Sequence, residues 1–272
     1  MPNRWSDLDR PPLVPHDLVA ALVRPGEFWA DVRVVEETGS TNTDLLAAAA
    51  DGAPEGSVLA AESQSAGQGR LDREWVSPPR SGLTFSVLLR PGVAPVHWAW
   101  LPLLAGLALQ RAVHKLGQVE AVLKWPNDLL LGAGRRKGAG ILAQAHGSAV
   151  VVGIGLNVST RREELPREDA TSLALEQAAC TDRDPLLRAI LRQLAGDYGD
   201  WREAAGDPMV SGLHAAYTEV CDTLGRQVSV NLPSGDTLDG IATGVDADGR
   251  LVLRAEDGSQ RTVAAGDVVH VR

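Results

Sequence analysis

The chain has 272 residues, enough for one large domain and a small one. Hydrophobic residues make up 44%, which supports a buried core, and aromatics only 4%, so Leu, Val and Ala must fill most of it. A formal charge of −9 without a basic block argues against a broad nucleic-acid surface, because such surfaces work by neutralising phosphates.

Residues 1–31 read as a short extension in which His16 to Val23 makes two turns of helix before Pro25-Gly26. A winged helix-turn-helix needs roughly 60 residues and three helices, more than this leader holds. Val32 to Glu36 is the first strong strand signal. Ser40-Thr41-Asn42 then opens a helix, with Thr41 and Asp44 spaced as a capping box and Leu45 to Ala50 running to Gly52. Val58 to Glu62 is a short strand, followed by the long polar loop Ser63 to Arg80. Loops of that length without structure of their own are often functional.

Leu83 to Leu89 alternates as a strand, and Trp98 to Leu116 reads as a largely buried helix ending at Gly117. Val122 to Trp125, Leu129 to Leu131, Lys137 to Gln144 and Ala149 to Gly153 are four further strands. Residues 160–172 form a charged loop. Asp184-Pro185 supplies an N-cap and an N1 proline for a helix reaching about Ala204. Beyond Arg226 the texture changes to short strands, Gln227–Leu232, Thr237–Val245, Leu251–Ala255 and Gln260–Ala264. They are separated by Pro233-Ser234-Gly235, Asp248-Gly249 and Asp257-Gly258 turns, the pattern of a small β-barrel. The periodicity by itself defines an α+β chain with a separate β-barrel.

Four clusters carry chemistry. In Gly67-Gln68-Gly69-Arg70-Leu71-Asp72-Arg73 the glycines allow close backbone approach and the arginines offer forked donors to phosphate or carboxylate. Alone, such a loop is more often a solvated turn. In Lys124-Trp125-Pro126-Asn127-Asp128 a lysine ends an apolar strand, which is hard to bury without a partner. In Arg135-Arg136-Lys137-Gly138-Ala139-Gly140, glycines within a strand suggest close approach by a ligand or another backbone, whereas Arg135 and Arg136 read best as a basic hairpin turn. Gly153-Ile154-Gly155-Leu156-Asn157 lacks the third glycine and the following helix of a dinucleotide site. There is no Gly-x-x-x-x-Gly-Lys-Ser/Thr phosphate loop.

Cys180 and Cys221 lie far apart and read as reduced thiols. The six histidines are scattered without zinc spacing. No stretch approaches the ~20 apolar residues of a membrane span, and Met1 to Pro15 has no apolar h-region. The expectation is a soluble, cytoplasmic protein with neither nucleic-acid nor membrane partners.

Together the clusters resemble the biotin–protein ligase family, in the monofunctional form without an N-terminal DNA-binding domain. The match runs from about Gly39 to Leu173 and takes in Ser40-Thr41-Asn42, Gln64, the Gly67–Arg73 loop with Trp75, Lys124–Asp128, Lys137–Leu142 and Gly153–Asn157. The resemblance implies a mixed-sheet catalytic domain of the class II synthetase-like biotin/lipoate ligase fold over residues 32–222. An SH3-like β-barrel would follow over 223–272. It also implies an ATP-dependent ligase that forms biotinyl-5′-adenylate and transfers biotin to a lysine of a biotin carboxyl carrier protein, with Mg2+ as cofactor, acting as a monomer or weak homodimer.

By the same resemblance, Ser40, Thr41, Asn42 and Gln64 would hold the biotin ring, and Gln68, Gly69 and Arg70 would close over biotin and the adenylate. Lys124 and Arg70 would be catalytic, with Lys124 on the biotin carboxylate and the α-phosphate. Arg70, Arg73, Asn127, Lys137 and Asn157 would contact the nucleotide, and Asp128 would help hold magnesium. The loop departs from the family pattern Gly-Arg-Gly-Arg-x-Gly-Arg at Gln68 and Asp72, which bears on loop closure. Gly138 replaces a larger apolar residue, which bears on the fit of the pocket. The nearest rivals are a lipoate or octanoate ligase or transferase of the same superfamily, and a biotin-responsive DNA-binding regulator.

Overall fold

The computed structural model describes residues 9–71, 73–232 and 235–271. Asp72 and the Pro233-Ser234 part of one turn lie outside the described residues. Helix α1 spans Pro15–Leu22, strand β1 Asp31–Val35, helix α2 Thr41–Ala50, β2 Ser57–Ala61 and β3 Gly82–Leu89. A 3-10 turn, Pro95–Ala99, leads into α3, Trp100–Gly117. Strands β4 Ala121–Lys124, β5 Asp128–Leu131, β6 Arg136–His146 and β7 Ala149–Asn157 follow. Helices α4, Arg183–Glu203, and α5, Leu213–Val220, precede β8 Gln227–Asn231, β9 Thr237–Val245, β10 Leu251–Arg254, β11 Gln260–Val263 and β12 Asp267–His270.

The first seven strands form one mixed sheet in the order β1-β2-β3-β7-β6-β5-β4, with only β1–β2 parallel. Alternation along β3 decides what each face does. Leu83, Phe85, Val87 and Leu89 join the main core with Leu103, Leu104 and Leu107 of α3 and Leu187 and Leu191 of α4. Thr84, Ser86 and Leu88 point to the other face. There Leu88 and Val151 pack with Leu45 and Ala49 of α2. In the β3–β7–β6 register, Thr84 pairs with Gly155, which pairs with Gly140, and Ser86 pairs with Gly153, which pairs with Leu142. Helix α2 therefore covers one part of this face, and beside it the sheet surface is almost stripped of side chains.

Several local expectations are corrected by the structure. The cap of α2 is Ser40, and its side chain makes no capping bond. Instead of the Thr41/Asp44 box, the Gln64 side chain accepts from Thr41 N at 2.8 Å, while Asp44 accepts from the Thr38 hydroxyl. A carboxamide from another segment has replaced the local cap. Helix α4 is capped by Asp182, which accepts from Asp184 N, and so starts before Asp184. Gly117 is the last residue of α3, and Gln118 takes the left-handed turn. Strand β7 runs four residues past Gly153, to Asn157. Helix α5 and strand β12 carried no sequence signal strong enough to name. Gly138 leaves room for the Leu131 side chain of β5 and does not line the cavity described below.

The N-terminal segment is tied into the main core. Leu13, Leu18 and Leu22 are buried in it. The buried Glu62–Arg183 ion pair, 2.5 Å, also takes Leu13 N on Glu62 and gives an arginine donor to Pro11 O. Removing either charge would strand the other in the interior.

The last five strands form an antiparallel sheet in the order β11-β10-β9-β8-β12. Its junction with the first sheet is specific. Asp222 N donates to Leu123 O, Trp125 N to Thr223 Oγ1, Trp125 Nε1 to Gly249 O and Trp100 Nε1 to Ala247 O. His270 of β12 lies at this junction, 3.3 Å from Thr223 Oγ1. Burial, then the charges of Lys124 and Arg226, pushes its imidazole down to about 4. Among the described residues no helix is long and apolar enough to cross a membrane.

Candidate active site

The open part of the sheet face is the floor of a cavity. Its inner end is built at the start of α2. Ser40, Thr41 and Asn42 are all buried there. The Thr41 hydroxyl is 2.7 Å from Ser86 Oγ, which donates to Asn42 Oδ1 at 2.6 Å. Asn42 Nδ2 donates to Leu142 O and to Gln144 Oε1. Since Ser86 gives its only proton to Asn42, a proton between the two hydroxyls comes from Thr41, whose single hydroxyl proton also has Gln64 Oε1 within reach at 3.0 Å. The result is an uncharged network that links Thr41 and Gln64 through Ser86 and Asn42 to β6. Gly153 is what admits it, since a Cβ there would overlap Asn42 Oδ1.

Ser86 and Gln144 were not singled out in the sequence. A serine in an otherwise apolar strand was the available signal for Ser86. Its position opposite Gly153, within reach of α2, needed the sheet register.

The cavity roof is the loop between β2 and β3. Residues Gln68 and Glu74 pair as a small antiparallel hairpin, and Trp75 N donates to Gly67 O. The Trp75 ring lies across the paired glycines Gly140 and Gly155, where any Cβ on Gly155 would overlap it. The close approach expected of a ligand or another backbone at Gly140 is made by the Trp75 indole, which anchors the roof and also covers Gly155. Gly153-Ile154-Gly155 is a glycine-floored strand and not a dinucleotide loop.

Charge collects at the other end. Among the described residues Arg70, Arg73, Lys137 and Arg167 are the cations lining the cavity, with Glu74, Asp128 and Asp267 as its acids. Arg70 donates to Asn127 Oδ1 at 3.1 Å, and Asn127 in turn donates to Ile141 O. Burial disfavours the Arg70 charge, partly offset by Asp128 and Asp267. Lys137 Nζ is 2.6 Å from Asp128. Arg73 reaches across to the C-terminal sheet and meets Asp267 at 2.6 Å. That hydrogen bond raises the Arg73 pKa and lowers that of Asp267. Asn157 donates to Thr171 O and lines the cavity near Lys137.

The structure thus brings together Ser40, Thr41, Asn42, Gln64, Gln68, Gly69, Arg70, Arg73, Asn127, Asp128, Lys137 and Asn157 around one cavity. Lys124 is the exception. It ends β4 opposite Asp128, half-buried, and does not line the cavity; its charge acts on Asp169, Asp267 and His270. Lys137, at the start of β6, lines the cavity instead. Among the described residues no group of three or more His, Cys, Asp or Glu is arranged to hold a metal ion. Asp128, Glu74 and Asp267 line the cavity without converging on one point. Such an arrangement suits a magnesium ion that keeps its waters and is held mainly by substrate phosphates.

The chain is similar to known proteins over most of its length. Residues 34–160 match the Biotin/lipoate A/B protein ligase family, and residues 223–271 match the Biotin protein ligase C terminal domain. The chain is 44% identical, over 97% of its own length and 97% of the relative's, to the biotin–[acetyl-CoA-carboxylase] ligase of Mycobacterium tuberculosis. It is 30% identical to the bifunctional ligase/repressor BirA of Bacillus spizizenii, over 85% of this chain and 71% of that one. Among solved structures, the biotin protein ligase of Aquifex aeolicus in complex with biotin and ATP superposes with a TM-score of 0.75 at 26% identity, covering 90% of this chain and all of that one. The chain belongs to the biotin protein ligase family.

Proposed function

We propose that the protein is a biotin–[biotin carboxyl-carrier protein] ligase, which joins biotin to ATP as biotinyl-5′-adenylate and passes the biotinyl group to a carrier lysine. One observation carries the reading. The cavity has an uncharged hydrogen-bonding wall at its inner end and a cluster of cations at its mouth, suited to an acid with a neutral polar head and a distant carboxylate. Thr41, Asn42, Gln64 and Ser40 would hold the ureido ring, under a roof formed by Gln68 and Gly69. Buried donors that lose their partner reject analogues strongly, so this end sets the choice of acid.

In the first half-reaction a carboxylate oxygen attacks the α-phosphorus of ATP and pyrophosphate leaves. Both reactants are anions, so the protein must offset their repulsion. Lys137 and Arg70 face that position, with Arg73, Asn127 and Asn157 toward the rest of the nucleotide. Lys124 is reassigned from direct contact to a background charge behind Asp169 and Asp267. Preorganised cations and alignment of the two reactants supply the acceleration without a protein nucleophile. Asp128 is the side chain that would hold magnesium, which supplies further charge neutralisation on the phosphate oxygens. In the second half-reaction the carrier lysine attacks the acyl carbon of the mixed anhydride and AMP leaves. The Gln68–Glu74 hairpin keeps water from that carbon until then. The reading divides the chain into an extension over 1–31, a catalytic domain over 32–222 and an SH3-like domain over 223–272. It places the enzyme in the cytoplasm as a monomer or weak dimer.

The test is release of pyrophosphate from ATP and Mg2+ with biotin, lipoate or octanoate. Release that depends on biotin alone is expected. Release driven equally by lipoate or octanoate, the activity of the sister ligases, would overturn the assignment.

A further inference from the structure

The loop between β7 and α4 was read in the sequence only as a charged segment. In the structure it brings one further cation to the cavity. Arg167 lines the mouth beside Pro166 and Ala170. Its guanidinium is held by Asp169 in a forked pair, at 2.8 Å and 2.7 Å. Asp128 and Asp267 act on it as well, and it lies close enough to Arg73 for the two charges to oppose each other.

The backbone beneath Arg167 is fixed. The Arg162 guanidinium donates to the carbonyls of Arg167, Glu168 and Ala170, at 2.8 Å, 3.4 Å and 3.0 Å. The end of the loop is bridged to the strand that carries Lys137, by Lys137 N to Asp169 O and Thr171 N to Lys137 O. The side chain, in contrast, is exposed, 59% for Arg167 against 62% for Asp169. An exposed pair of this kind contributes little stability. Exchanging Asp169 for a phosphate therefore costs little and gains charge-assisted, forked bonds. Arg73 with Asp267 and Lys137 with Asp128 have the same design, a mouth-side cation held by its own carboxylate.

We propose that Arg167 binds the phosphate chain of the nucleotide, and that Asp169 holds its guanidinium over the cavity until the nucleotide arrives. The proposal rests on the ligase reading above for the identity of the nucleotide, and it adds a binding residue from a loop outside the sequence motifs.

The test compares wild type with Arg167→Gln and Arg167→Lys. The KM for ATP in biotin-dependent pyrophosphate release should rise about tenfold in R167Q, the loss of one charged contact, with the KM for biotin little changed. Arg167→Lys should recover part of it. Independently of turnover, inorganic pyrophosphate should raise the melting temperature of wild type and not of R167Q, while adenosine stabilises both equally. An unchanged KM for ATP, or equal weakening of adenosine and pyrophosphate, would overturn the proposal, the second outcome placing Arg167 on the base. Wild type that responds to pyrophosphate through Arg167 but releases none with biotin would leave the phosphate site standing and remove the ligase reading.

Discussion

The two ends of the cavity are built on opposite principles. At the inner end Thr41, Ser86 and Asn42 are buried, uncharged and bonded to one another, and Gly153 leaves the space that the Asn42 side chain fills. At the mouth Arg73, Lys137 and Arg167 are partly exposed, and each is held by an aspartate. Buried neutral networks are rigid because an unmade bond there has no water to replace it. Exposed ion pairs exchange partners readily because water and salt already compete for them. The inner end is therefore fixed in advance for one neutral shape, whereas the mouth is arranged so that an incoming polyanion can take over cations already in position.

The sharpest way to break this comparison is at Lys137. Lys137→Ala should slow biotin-dependent pyrophosphate release more than a hundredfold, of order 3 kcal/mol for the loss of a main charge contact. Lys124→Ala, which removes a cation outside the cavity, should slow it less than tenfold. A larger loss at Lys124 than at Lys137 in parallel rate measurements would restore the original sequence assignment.

Next in size is the inner wall. Gly153→Ala places a methyl against Asn42, whose side chain is bonded at both ends and cannot retreat freely. The KM for biotin should rise about tenfold, roughly 1.4 kcal/mol, with the KM for ATP unchanged. Equal changes for both substrates would mean that the two ends are not independent.

Salt separates the two ends more gently. Between about 50 and about 500 mM salt, where the screening length falls from above 10 Å to about 4 Å, the KM for ATP should rise roughly threefold. Binding of biotinol, which lacks the carboxylate, should stay constant by calorimetry. A salt-sensitive biotinol affinity would argue that charge also operates at the inner end.

A test of stability concerns the junction from which Asp267 reaches the mouth. The folded imidazole of His270 titrates at about 4, below the ordinary value near 6.5. The unfolded chain therefore takes up a proton in that window while the folded chain does not, so stability is lost as pH falls from about 6.5 toward about 4. Melting temperatures of wild type between about pH 7 and pH 5 should fall more steeply than those of His270→Gln. Parallel slopes would place the acid sensitivity elsewhere.

Legibility followed the range of the interactions. Strand alternation placed β3 within a residue, and the Gly/Arg loop and the Lys137 strand were recognisable as chemistry, because those signals lie within a few consecutive residues. The cap of α2 was misread because Gln64, twenty-three residues from Thr41, took the place of the local box. Gly138 and Gly140 were read as points of close approach by a ligand or another backbone, but what fills the space there is the side chains of Leu131 and Trp75, and Trp75 also covers Gly155.

What the sequence determined by itself was the order of elements over the first sheet, the separate β-rich C-terminal stretch and the set of residues from which a site could be drawn. Periodicity and turn chemistry are local, and a chain must obey them before it folds. Only the tertiary structure decided which lysine faces the cavity, that Asp267 from the last strand and Arg167 from a plain charged loop join it, and that Ser86 connects Thr41 to Asn42. Those choices depend on register and on contacts between segments as far apart as Arg73 and Asp267, 194 residues along the chain. A charge finds such a partner only once the sheets have fixed the distance between them.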